Sequence, residues 1–78
     1  MSDLEIVRRF KAVNDEAARL GYRIEVDLVT RRPERWRALA VVLTDESSER
    51  RFLSDSDTSS LDAAEAGLER LRELSRKR

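Results

Sequence analysis

The periodicity of the chain changes within the segment Leu20-Gly21-Tyr22-Arg23-Ile24-Glu25-Val26-Asp27-Leu28. After Gly21, apolar and charged residues alternate, which is typical of a strand with one buried and one solvated face. Before Gly21, apolar residues recur every three or four positions, as on one face of an amphipathic helix. Ser2 suits the N-cap of that helix, and Gly21 suits the residue that ends it. The pattern predicts a helix over about 3–20 and a strand over about 22–30.

Two more strands and a second helix are predicted downstream. Pro33 interrupts the alternation and predicts a connection. The next segment is apolar on both faces near its middle, which is typical of a central strand, and a polar turn at 45–48 leads to a short third strand. Ser59 is predicted to cap the final helix, and Gly67 inside that helix indicates a close approach to the other helix or to the sheet. The predicted bounds are about 35–44 and 49–54 for the strands and about 60–75 for the helix.

The order helix, strand, strand, strand, helix narrows the fold class. Short connections between consecutive strands favour an antiparallel meander. Each helix has a single apolar stripe, so both helices need the same face of the sheet. We therefore predict one α+β domain over residues 1–78: a two-layer sandwich of α-β-β-β-α order, with a three-stranded antiparallel sheet and both helices on one face.

The residue types present argue against an enzyme. The chain of 78 residues contains no cysteine and no histidine, which removes the thiolate and imidazole metal ligands together with the commonest general base. Its two glycines are isolated, so no glycine-rich loop can hold a phosphate group. Asp55-Ser56-Asp57 alternates like the start of a calcium loop, but the glycine and the terminal glutamate of such a loop are missing. We expect no catalytic, cofactor-binding or metal-binding residues and no small-molecule substrate.

Charged residues make up 41% of the chain and cancel to a formal net charge of zero. This balance argues against non-specific binding of nucleic acid by the whole molecule, although it allows a local patch. No apolar run approaches the roughly 20 residues that a membrane span needs. The acidic N-terminus has no signal-peptide pattern. We expect a soluble, cytoplasmic protein with no membrane partner.

Three segments carry a resemblance to a known family. Residues 14–22 end a helix in glycine before an extended strand, residues 31–36 form a proline-containing loop, and residues 59–68 open an alanine-rich helix after a serine. In this order they resemble the double-stranded-RNA-binding domain. The resemblance implies a helix, a three-stranded antiparallel sheet and a second helix on one face, with a surface that binds RNA.

The functional signature of that family is incomplete in this chain. The family carries a Lys-Lys-x-Ala-Lys cluster at the start of the second helix, where it holds phosphates. By the resemblance, Ser60, Leu61 and Ala64 occupy the three lysine positions. The resemblance also places Asp15 or Glu16 near a first-helix acid that contacts 2′-hydroxyl groups. We therefore predict a degenerate scaffold that lacks the basic motif.

An arginine cluster surrounds the predicted connection between the first two strands. Its members are Arg31, Arg32, Arg35 and Arg37. One interpretation is a solvated loop whose arginines pair with Glu25 or Asp27 across the strands. Two others are contacts with the phosphates of structured RNA or DNA, and contacts with an acidic protein partner.

A candidate protein interface follows from the parity of the second strand. If Leu39, Val41 and Leu43 face the helices, the open face of the sheet carries the opposite set. That set is Trp36, Ala38, Ala40 and Val42. An apolar row on a bare sheet face marks a surface for self-association or for a partner.

The preferred hypothesis is a non-catalytic protein-interaction module on a scaffold like that of the double-stranded-RNA-binding domain, which self-associates through the open sheet face or an edge strand. The first alternative is weak binding of structured RNA or DNA through the arginine loop 31–37. The second is a designed or redesigned sequence without a biological function, which the regular apolar spacing and the absence of cysteine and histidine also fit.

Overall fold

The computed structural model describes residues 2–45 and 49–77. Two helices and three strands follow one another in the predicted order, which confirms the α+β class. The elements are α1 (Asp3–Arg19), β1 (Tyr22–Arg31), β2 (Glu34–Val42), β3 (Arg51–Ser56) and α2 (Ser60–Arg76). The third strand lies two residues further along the chain than predicted. Of the predicted polar turn, residues 46–48 lie outside the described part of the chain.

Two residues set the ends of α1. The Ser2 hydroxyl accepts a hydrogen bond from the Glu5 backbone N–H at 3.2 Å, so Ser2 is the N-cap, as predicted. Gly21 follows the C-cap residue Leu20 with a φ of +90°, in the left-handed region that glycine adopts readily. The chain therefore leaves α1 sharply and returns along it as β1.

The strands form an antiparallel sheet in the order β1-β2-β3, so β2 is the central strand, as its apolar pattern predicts. β1 and β2 form a hairpin across Arg32 and Pro33, whose peptide bond is cis. Their pairing keeps one register up to Leu28 opposite Trp36, and Val29 is then an extra residue in β1. The two edges of the sheet are β1 and β3.

A bulge in β3 sets the direction of three side chains. Ser54 opposes Ala38 of β2, but the next residue of β2, Leu39, opposes Phe52, so Leu53 is the extra residue. Both Leu53 and Ser54 face the helices. Leu53 is buried in the core, and Ser54 Oγ donates a hydrogen bond to a carbonyl oxygen of α2 at 2.9 Å. Phe52 consequently lies on the opposite face of the sheet.

Both helices pack on the same face of the sheet, as predicted. α2 packs on all three strands, whereas α1 packs on β1 and on α2. One cluster of buried residues joins the two layers. Its members are Val13, Ala17, Ile24, Ala38, Ala40, Leu53, Ala64, Leu68 and Leu71.

The parity predicted for β2 is wrong. The set predicted for the open face is Trp36, Ala38, Ala40 and Val42. Ala38 and Ala40 are instead 0% and 2% exposed and lie in the core beneath the helices. The physical reason is the close approach of α2, because a Cβ atom added at Gly67 would lie only 2.7 Å from the Ala38 Cβ. Only small side chains fit there, so Leu39 and Val41 take the open face.

Candidate functional site

The centre of the open face is apolar and nevertheless covered. Leu39 and Val41 are 7% and 1% exposed, although they face away from the helices. Arg50, just before β3, donates from Nε to Glu25 Oε2 on β1 at 2.8 Å. Because β2 lies between β1 and β3, this ion pair crosses over β2. The ion pair therefore lies on the side of the sheet to which Leu39 and Val41 point.

Glu25 is the carboxylate on which the charged side chains of the open face meet. It also accepts a hydrogen bond from Arg23 at 2.7 Å, so two guanidinium groups meet one carboxylate. The hydrogen bond from Arg50 is the main reason why the pKa of Glu25 lies below its ordinary value of 4.5. The positive charges of both arginines lower this pKa further, against the opposite effect of partial burial. Glu25 is therefore ionised at neutral pH.

Phe52 is the most exposed aromatic side chain of the open face. It is 59% exposed and lines a shallow depression of about 370 Å³. The depression is lined by Val29, Thr30, Arg35, Arg37, Phe52 and Asp55. Val29 continues the parity of Glu25 and Asp27, whereas the bulge at Leu53 is what places Phe52 on this side.

Two of the four candidate arginines are paired with carboxylates across the strands. Arg37 lies 3.6 Å from Asp27, a partner that the sequence predicts. Arg35 donates a hydrogen bond to Asp55 of β3 at 3.2 Å. Both arginines border the depression beside Phe52, so the charges there are mixed rather than purely basic.

The other two candidate arginines lie at the tip of the hairpin. Arg31 and Arg32 are exposed and form no ion pair with any residue of 2–45 or 49–77. The side chain of their neighbour Trp36 is half-buried and points to the same face of the sheet as the helices. Its Nε1 donates a hydrogen bond to Glu34 Oε1 at 2.7 Å. Trp36 is therefore part of the hairpin end and does not line the open face.

The start of α2 is acidic. The Ser59 hydroxyl accepts a hydrogen bond from the Asp62 N–H at 3.0 Å and caps the helix, as predicted. Of the three positions where the family resemblance implies lysines, Leu61 and Ala64 are buried and only Ser60 is half-exposed. In this register, lysines at Leu61 and Ala64 would point into the core.

Ion pairs join the two helices along their length. Arg9 Nε donates to Glu65 Oε2 at 3.0 Å, and Arg72 pairs with Glu16. Both pairs join residues that are 56 positions apart, so α1 and α2 run parallel and begin at the same end of the molecule. The hydrogen bond with Glu65 is the main reason why the pKa of Arg9 is raised. The groove between the helices, about 560 Å³, is lined by these paired charges.

The two acidic residues of α1 that the family resemblance indicates both form ion pairs. Glu16 pairs with Arg72, and Asp15 accepts a hydrogen bond from Lys11 at 2.6 Å.

Among the described residues, no group of three or more acidic side chains could hold a metal ion. None of the helices described is both long enough and apolar enough to cross a membrane.

No protein-family model, no curated protein and no solved structure matches this chain. Its function is therefore inferred from its own residues. The open face is the best-defined candidate site, because it combines an exposed aromatic side chain with charges of both signs.

Proposed function

We propose that this chain is a non-catalytic protein-interaction module on a scaffold like that of the double-stranded-RNA-binding domain, and that it self-associates through the open face of its sheet. The observation that carries the proposal is the exposure of Phe52, which lies 59% open on the same face as Leu39 and Val41. Burying a phenylalanine side chain contributes about 1.5–3 kcal/mol, so a contact that covers Phe52 adds to the free energy of association.

The charges around Phe52 favour a second copy as the partner. Arg35 with Asp55, and Arg37 with Asp27, border the depression, so each molecule presents both signs there. Across a two-fold axis the same patch meets itself, and the arginines of one copy can approach the aspartates of the other. The net charge of zero also removes long-range repulsion between copies.

Replacing Phe52 with threonine tests this proposal. Phe52→Thr should keep the fold, because the side chain is exposed and threonine suits a strand. In sedimentation equilibrium, the mass of the wild type should rise with concentration from monomer towards dimer. Phe52→Thr should associate about tenfold more weakly or stay monomeric.

The matched control is Ala66→Ser, an exposed change on α2 that should associate like the wild type. A wild type that remains monomeric at millimolar concentration would contradict the proposal, and so would a Phe52→Thr protein that dimerises as the wild type does.

Binding of structured RNA or DNA is a second candidate function. It is favoured by Arg31 and Arg32, which are exposed at the hairpin tip without an ion pair in the part of the chain that the structure describes. It ranks second because Arg35 and Arg37 already have carboxylate partners, and because the start of α2 carries Asp62 where phosphate binding needs cations.

A further inference from the structure

The outer edge of β1 is only partly closed. Amides along a strand point alternately to its two sides. The Ile24 N–H donates to Asn14 Oδ1 of α1 at 3.4 Å, so it points away from β2. The amides of Val26 and Leu28 follow at the same spacing in an unbroken register and point the same way. Within residues 2–45 and 49–77, no side chain hydrogen-bonds either amide. Asn14 thus satisfies the outward amide at Ile24, whereas the edge of β1 beyond it, at Val26 and Leu28, can still accept another strand.

One side of α1 overhangs this open edge. Val7 lies seven residues, about two turns, before Asn14 and therefore on the same side of α1. Arg9 is on the other side of the helix, where it pairs with Glu65 of α2. Because β1 runs back along α1 from Gly21, Val7 lies beside the edge near residues 26–28.

The surface between α1 and this edge is apolar and exposed. Val7 on α1 is 63% exposed, and Leu28, whose side chain points to the helix side of the sheet, is 38% exposed. We call this surface the β1 groove, and it is formed by Val7, Val26 and Leu28. One side of the groove is formed by α1, and the apolar side chains of β1 lie beneath it. The outer edge of β1 presents backbone N–H groups that can form hydrogen bonds.

The far end of the β1 groove is basic. β1 continues from Leu28 to Arg31, and the hairpin turn follows with Arg32. Both arginines are exposed and form no ion pair with any described residue. A carboxylate bound at this end would gain charge-assisted hydrogen bonds that no residue of the described chain supplies.

We propose that the β1 groove binds an extended segment of a partner protein as an added strand. Its backbone pairs with the amides and carbonyls of β1 around Val26 and Leu28. Apolar side chains at alternate positions pack on Val7 and Leu28, and one or two carboxylates lie beside Arg31 and Arg32. The ligand is thus an acidic peptide with alternating apolar residues.

A second copy of this chain does not fit the β1 groove through its own β1 edge, and its other edge, β3, is covered by α2. Paired strands lie about 4.8 Å apart, whereas packed helices need about 8–10 Å between their axes. α1 lies over β1 and does not pack on β2, so two β1 edges paired along their length would force the two α1 helices together. The groove has room for a bare strand, and it is separate from the open face proposed for self-association.

The probe is a library of random ten-residue peptides displayed on phage, selected against the full chain and then synthesised with a fluorescent label. The selected peptides should alternate apolar residues and carry acids towards one end. In the complex, amide hydrogen exchange at Val26 and Leu28 should slow by about tenfold or more, because both amides become hydrogen-bonded.

Two variants locate the binding site. Val7→Ser removes the apolar wall, and the pair Arg31→Gln with Arg32→Gln removes the basic end. Each should weaken peptide binding by about tenfold in fluorescence anisotropy. The control pair Arg76→Gln with Lys77→Gln removes the same charge at the end of α2 and should bind like the wild type.

Four outcomes would overturn the proposal: no peptide enriched over an unrelated control protein, binders that ignore both test variants, unchanged exchange at Val26 and Leu28, or release of the labelled peptide when the chain is raised to concentrations at which it self-associates. The last outcome would make the edge an interface between copies. Binding is measured at concentrations too low for self-association, so a failure of the open-face dimer leaves this test unaffected.

Discussion

Gly67 shows how a single residue positions one layer on the other. A Cβ atom at this position would meet the Ala38 Cβ at 2.7 Å and approach Leu53 at 3.5 Å. The Ala38 Cβ is attached directly to the β2 backbone, so it cannot move aside by rotating. The absence of a side chain at Gly67 therefore sets how closely α2 lies on the central strand.

We expect Gly67→Ala to destabilise the fold even though alanine is the better helix former. The substitution gains about 1 kcal/mol of helix propensity, but overpacking a rigid contact costs about 1–3 kcal/mol or more. A net loss of up to about 2 kcal/mol should appear in urea denaturation. Ala66→Gly at the adjacent exposed position measures the propensity contribution alone. A Gly67→Ala protein that is more stable than the wild type would show that the two layers can separate at little cost.

At the scale of elements, β1 and β2 differ in what their sequences reveal. β1 alternates between apolar and charged residues, so its buried face could be predicted without any partner. β2 is apolar on both parities, so its sequence left open which parity faces the helices, and the candidate interface depended on the condition that Leu39 and Val41 do. In the structure the smaller Ala38 and Ala40 face the helices, because the backbone of α2 at Gly67 leaves no room for larger side chains. The parity therefore depends on a neighbour that is distant in sequence.

The candidate site was harder to predict than the fold. The spacing of apolar residues predicts both helices, and glycine and serine predict the ends of α1. The bulge at Leu53 left no such pattern, because it depends on which residue of β2 each residue of β3 opposes. Phe52 therefore looked like an ordinary strand residue, and its exposure became visible only in the assembled sheet.

The ion pair that crosses β2 makes stability depend on pH. Folding lowers the pKa of Glu25 below 4.5, mainly through the hydrogen bond from Arg50. The contribution of Glu25 to stability is thus fully present above its ordinary pKa and is lost as the pH falls through the lower pKa of the folded state. In urea denaturation, Glu25→Gln should be less stable than the wild type at neutral pH, and this difference should shrink in strong acid.

Arg50→Gln serves as the companion variant for this measurement. It removes the main cause of the lowered pKa, so its loss of stability should fade over the same acidic range. A difference between Glu25→Gln and the wild type that stays constant from neutral to strongly acidic pH would mean that Glu25 acts through packing and not through its charge.

At the scale of the whole molecule, the parallel helices and the hairpin bring unlike charges to one end. α1 and α2 both begin there, with Asp3 and Asp62 in their first turns, where carboxylates suit the positive ends of the helix dipoles. β1 runs back along α1, so the arginine-rich hairpin lies at the same end. Charges of both signs therefore lie at this end: Arg35 and Arg37 are paired with carboxylates across the strands, whereas Arg31 and Arg32 form no ion pair with any described residue.

The cross-strand pairing of Arg35 and Arg37 predicts how the chain responds to nucleic acid. The wild type should not shift a short RNA duplex at moderate salt, because carboxylates hold Arg35 and Arg37. The double variant Asp27→Asn with Asp55→Asn releases both arginines and raises the net charge by two. It should bind at low salt, with a log–log salt slope of about one per arginine engaged.

The control for this experiment is Asp3→Asn with Glu5→Gln, which changes the net charge equally but releases neither hairpin arginine. If the control binds as well as the double variant, net charge alone attracts the duplex and the pairing of Arg35 and Arg37 has no role. If the wild type itself binds with a steep salt dependence, the cross-strand carboxylates are too weak to compete with phosphate. The hairpin would then be the functional surface, and nucleic-acid binding would replace self-association as the preferred function.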